Sequence, residues 1–92
     1  MGEVASTLRR KLAAAFAPTQ LEIVDDSHRH AGHAGARPEG ETHFSVTIVS
    51  PSFAGQSRVE RQRRVYAALA DEMAGRVHAL ALKTLTPDEA AR

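Results

Sequence analysis

Five histidines and no cysteine set the chemistry open to this 92-residue chain. His28, His30 and His33 form a His-x-His-x-x-His run, His43 follows it, and His78 stands apart near the C-terminus. Imidazole is a good ligand for iron, zinc and copper. A run of this kind also binds divalent metals adventitiously, and taken as residues alone the three are as readily plain solvated side chains. Three histidines and a water would satisfy a hydrolytic zinc centre, yet no oriented general base or substrate pocket accompanies them. His78, flanked by Val77 and Ala79, reads on its own as a hydrogen-bonded structural histidine. His43 alternates with Phe44, so one of the two faces away from the core, and a structural or rim contact is expected of His43 rather than ligation. The missing cysteine removes a thiol nucleophile, a disulfide and any all-cysteine metal site.

A second group is basic. Arg58, Arg61, Arg63 and Arg64 crowd one short stretch against a single acid, Glu60. Cations at a helix start oppose the helix dipole, which points to a use for them: a nucleic-acid or partner surface, or the carboxylates of an acidic ligand. The net charge of +1 favours neither. Acidic residues gather elsewhere, at Asp25–Asp26, Asp71–Glu72 and Asp88–Glu89.

The elements that must position these groups follow from periodicity. Val4, Leu8, Leu12 and Phe16 recur every fourth residue, which predicts an amphipathic helix over 3–16 that stops before Pro18. A short strand is expected over Leu21–Asp26, and a loop carrying Gly32, Gly35, Pro38 and Gly40 over His28–Gly40. Thr42–Ser50 alternates and is rich in β-branched residues, the strongest strand pattern of the chain; it should pair antiparallel with the first. Phe53 anchors the connection that follows. Ser57 and Glu60 form a capping box for a helix running to about Ala74, with Val65, Tyr66, Leu69 and Met73 as its buried stripe and Gly75 as its cap. Val77–Lys83 reads as a third strand. Thr86-Pro87-Asp88-Glu89 starts a final short helix.

The order is α-β-β-α-β-α, an α/β (α+β) arrangement with a three-stranded mixed sheet and helices packed on one face. The length allows one domain over 1–92. Such a chain buries only about 60% of its unfolded surface, and its four aromatics are Phe16, Phe44, Phe53 and Tyr66. A small aliphatic core leaves little room for a deep catalytic pocket, so no enzyme is expected. No apolar run approaches the roughly 20 residues that cross a bilayer, which predicts a cytoplasmic protein away from the membrane.

Several blocks resemble the BolA family. Leu21-Glu-Ile-Val-Asp-Asp-Ser-His-Arg-His30 is similar to its first strand and loop, and Glu41-Thr-His-Phe44 with Val46-Thr-Ile-Val-Ser50 to its second strand. Phe53-Ala-Gly55, Arg61-Gln-Arg-Arg-Val-Tyr66 and Leu69 resemble its central helix, and Val77-His-Ala-Leu-Ala-Leu82 its most characteristic segment. The resemblance implies a class II KH-like fold, although no Gly-X-X-Gly clamp for RNA is present. It also implies a heterodimer with a monothiol glutaredoxin that shares a bridging 2Fe–2S cluster with glutaredoxin and glutathione, and no cofactor in the isolated chain. The family's ligands are the histidine of the Val-His-Ala-Leu segment, here His78, and a His or Cys of the first loop. Counting forward from the first strand gives His30; counting back from Glu41 gives His33. Both stay open. Where many members read Arg-His-Arg, this chain has Arg61-Gln62-Arg63, so no chemistry falls to Gln62. DNA binding and transcription regulation through the basic central helix is the alternative function, as some family members are described in those terms.

Overall fold

The computed structural model describes residues 2–26 and 42–92. Helix α1 (Glu3–Phe16) buries Ala5, Leu8, Leu12 and Phe16. It ends at Ala17, which adopts a left-handed conformation (φ 44) and donates its N–H to the Ala13 carbonyl. Strand β1 (Gln20–Asp25) pairs antiparallel with β2 (His43–Val49), and β2 pairs parallel with β3 (Ala79–Leu85). The sheet order is therefore β1-β2-β3, mixed, as the sequence led one to expect.

Strand alternation divides the sheet into two faces. Phe44, Val46 and Ile48 of β2 are buried with Leu8, Leu12, Phe53, Val65, Leu69 and Val77 in one core cluster. On the other face Ser45 and Thr47 are half-buried, while Val24, Ala79, Ala81 and Lys83 are exposed. Among the described residues the helices thus cover one side of the sheet. After β2 a 3-10 turn (Pro51–Phe53) drives Phe53 fully inside, with its ring centroid 5.1 Å from that of Phe16.

Helix α2 (Arg58–Ala68) starts at the expected capping box: the Glu60 N–H donates to Ser57 Oγ and the Ser57 N–H to Glu60 Oε1, each at 3.1 Å. The helix does not run unbroken to Ala74. Leu69 (φ −108, ψ 21) interrupts it, and a separate turn, α3, spans Ala70–Ala74. Lys11 Nζ, 2.8 Å from Glu72 Oε2, ties α3 back to α1. Gly75 follows α3, where a Cβ would come within 3.2 Å of the Asp71 carbonyl. The short helix α4 (Pro87–Ala90) carries the second capping box, Thr86 with Glu89.

Two further expectations shift. Tyr66 is 39% exposed rather than part of the core stripe, and residue 61 takes a place in it: Arg61, Val65 and Leu69 are the buried positions. The third strand begins at Ala79 and ends at Leu85 rather than spanning 77–83. Both outer strands meet side chains from the helices. Arg9 Nη1 donates to the Leu21 carbonyl at the β1 edge; Tyr66 Oη and Arg61 Nη1 donate to the Leu80 and Thr84 carbonyls at the β3 edge.

Candidate functional site

His78 sits immediately before β3, and the backbone there is pinned to the start of β2. The His78 N–H donates to the Thr42 carbonyl at 2.7 Å and the Ala79 N–H donates to the same oxygen at 3.2 Å. Its imidazole is exposed. The parallel register places His43 opposite Ala79, which brings the His43 ring alongside that of His78: the centroids are 6.2 Å apart and the planes 25° from parallel.

His43 is itself held. Its Nδ1 lies 2.8 Å from Oγ1 of the fully buried Thr42. That contact engages one ring nitrogen and turns the other, Nε2, away from Thr42; which nitrogen carries the proton depends on the tautomer. The His43 carbonyl accepts the Asp26 N–H at 2.7 Å, and the Asp26 carboxylate accepts the Ser45 hydroxyl. Asp26 and Thr42 are the two residues that border segment 27–41, so the chain leaves the sheet and returns to it beside this histidine pair.

The other histidines proposed from the sequence, His28, His30 and His33, lie outside the described residues. The structure brings together His78 and His43, and the second of these was expected to make only a structural or rim contact. The signal that could have found it is topological. If the strand after the central helix lies parallel beside β2, residue 43 meets residue 79, and alternation puts both on the helix-free face.

The four arginines separate. Arg58 and Arg63 are exposed. Arg61 is buried, its side chain 10% exposed, and Nε donates to the Gln56 carbonyl at 3.0 Å. Its Nη1 reaches the Thr84 carbonyl at 3.1 Å and Glu89 Oε1 at 2.6 Å, and its guanidinium lies 5.9 Å from the Phe53 ring centre. The hydrogen bond from Arg61, with that from the Thr86 backbone, holds the Glu89 carboxyl down at about 2. Arg64 is half-buried; Nη1 donates to the Ser52 carbonyl and to Gln56 Oε1, and its guanidinium lies 5.0 Å from the Phe16 ring centre. Two of the four cations are therefore engaged in packing the turn before α2 onto the core.

Comparison with known proteins agrees with this architecture. The family model described as BolA-like protein matches residues 12–89. The chain is 42% identical over 93 residues to SufE-like protein 1, chloroplastic/mitochondrial, of Arabidopsis thaliana, covering 97% of this chain and 25% of that protein. The solved BolA domain of SufE1 from the same plant superposes with a TM-score of 0.87, covering 97% of this chain and 98% of that one. Identity is 46% over 87 residues to Protein BOLA1, chloroplastic, of Arabidopsis thaliana, covering 92% and 54%. It is also 46% over 82 residues to the DNA-binding transcriptional regulator BolA of Escherichia coli (strain K12), covering 89% and 74%. The chain thus spans a quarter of SufE-like protein 1 and about half of BOLA1.

Proposed function

The chain belongs to the BolA family, and from that membership we propose that it is a non-enzymatic partner of a monothiol glutaredoxin, co-ligating a bridging 2Fe–2S cluster in iron–sulfur cluster trafficking or iron regulation. The observation that carries the reading is His78, an exposed imidazole on a backbone fixed at 2.7 Å to the Thr42 carbonyl. Under this reading the second ligand is His33 or His30, from the segment that leaves and rejoins the sheet beside His78.

The donor set fits a shared group better than an enclosed one. Among the described residues no group of three or more His, Cys, Asp or Glu could hold a metal ion. With His78 at the rim of the sheet as one ligand and His33 or His30 as the other, the remaining ligands fall to a second protein. When bound, a histidine-ligated 2Fe–2S centre supplies a higher potential than an all-thiolate one. The chain's own part is positional: the Thr42 carbonyl fixes the backbone of His78, and the Thr42 hydroxyl fixes the ring of His43 next to it.

The test is spectroscopic. A monothiol glutaredoxin loaded with glutathione, iron and sulfide should change its visible-range spectrum when this protein is added, and His78→Ala should abolish the change. A spectrum indifferent to the protein, or to that substitution, overturns the reading. The alternative, DNA-binding transcription regulation from the central helix, loses half of its supposed surface, since Arg61 and Arg64 are engaged within the fold. Arg58 and Arg63 alone would have to carry it.

A further inference from the structure

His43 is the first residue of β2 and His78 the last before β3, and a single fully buried residue, Thr42, holds both. The Thr42 carbonyl accepts the N–H groups of His78 and Ala79, at 2.7 and 3.2 Å. Its hydroxyl lies 2.8 Å from His43 Nδ1. The main chain of the exposed histidine and the ring of its neighbour are thus anchored to one point. The His43 backbone is tied on its other side too, where its carbonyl accepts the Asp26 N–H at 2.7 Å.

A tethered backbone does not aim a ring. An imidazole on a fixed Cα still has three staggered wells about its first side-chain bond. Among the described residues no hydrogen bond or ion pair engages the His78 ring, and the ring it meets is that of His43. The centroids are 6.2 Å apart and the planes 25° from parallel, inside the range of about 4.5–7 Å over which aromatic pairs interact. The His43 ring therefore stands as a wall along one side of His78. Held at Nδ1, it cannot swing aside as a loose surface side chain would.

We propose that His43, fixed by Thr42, is a positioning residue for His78: it closes the β2 side to the His78 imidazole and leaves that ring turned outward for ligation. The ligation half rests on the cluster reading above; the confinement half is a property of the isolated chain. Groups that orient a metal ligand tune the bound state without touching the metal. Narrowing three wells to one is worth about threefold in the binding constant. Because the wall acts by its shape, a different flat ring at position 43 should serve as well.

Two measurements separate the inference from the reading it rests on. In the isolated protein, the three-bond Hα–Hβ couplings of His78 report its rotamers by nuclear magnetic resonance. They should show one dominant rotamer in the unaltered protein and in His43→Phe, and averaged values in His43→Ala. Thr42→Val, which removes the hydroxyl, should shift them towards the average. In the second measurement, monothiol glutaredoxin loaded with glutathione, iron and sulfide is titrated and followed by visible circular dichroism. His43→Ala should raise the midpoint about threefold, His43→Phe should restore it, and His78→Ala should abolish the signal. His43 is only half-buried, so its two variants carry the test if Thr42→Val fails to fold. Couplings or a midpoint unmoved by His43→Ala, or a loss in His43→Phe equal to that in His43→Ala, overturns the inference. A signal indifferent to His78→Ala overturns the cluster reading instead, and the couplings, read without any cluster, still decide whether His43 confines the ring.

Discussion

Removing the Arg61 guanidinium should cost this protein a large part of its stability. The side chain lies at a core position of α2 between the Gln56 and Thr84 carbonyls, at 3.0 and 3.1 Å. A hydrogen bond from a charged donor contributes about 1.5–3 kcal/mol, and a buried acceptor left without its partner costs a similar amount. For Arg61→Ala the two carbonyls alone therefore suggest a loss of about 3–5 kcal/mol, before any loss of packing against Phe53. A domain of this length is stable by about 5–14 kcal/mol at the usual 0.05–0.15 per residue. Urea unfolding followed by far-ultraviolet circular dichroism reads the change. At a slope of about 1 kcal/mol per molar the midpoint should fall by roughly 3 M or more. Arg61→Lys keeps the charge but not the planar fork, and should lie between the two. Arg58→Ala, at an exposed position, should stay within about 0.5 kcal/mol. A midpoint for Arg61→Ala within about 0.5 M of the unaltered protein, at equal slope, would show that the guanidinium is not a tether.

His78→Ala should leave the urea midpoint nearly unchanged, within about 0.5 kcal/mol, because the ring is exposed; a large loss would make His78 a structural residue. Glu89 has its carboxyl lowered from 4.5 to about 2 by the Arg61 hydrogen bond and the Thr86 backbone. A depressed folded value means that its contribution is fully present above about 4.5 and is lost as pH falls towards 2. Glu89→Gln should therefore show a shallower fall in melting temperature between pH 5 and pH 3, and parallel curves would refute the coupling. Ser57→Ala removes the acceptor of the Glu60 N–H and should cost about 1 kcal/mol. An unchanged midpoint in urea would mean that α2 does not depend on its capping box.

The elements were legible where a local pattern decides them: α1 from its four-residue repeat, β2 from alternation, and both capped helices from their capping boxes. Neighbours decided the rest. Residues 61, 65 and 69 form the inner stripe of α2, but arginine at the first of them does not read as a core residue. Its aliphatic stem packs inside while the charged end finds partners, and Tyr66, apolar by type, is left at the surface. Val77 is buried and alternates with Ala79, so the third strand looked as though it began there. Its ladder starts only where β2 offers a partner, and β2 begins at His43, opposite Ala79. The same non-local pairing hid His43 beside His78. No local pattern reports which strands lie side by side.

The side chains that reach the outer strands have a consequence for how copies of the protein meet. An open sheet ends in rows of unpaired peptide groups, a template on which another chain can lengthen the sheet. Here Arg9 occupies the Leu21 carbonyl at one margin, and Tyr66 and Arg61 occupy Leu80 and Thr84 at the other. Every one of these groups comes from a helix that the core already fixes, so the guards persist as long as the fold does. Each margin is thereby interrupted as a template, at Leu21 on one side and at Leu80 and Thr84 on the other. A second copy approaching either edge would have to displace one of these side chains before its own strand could pair there.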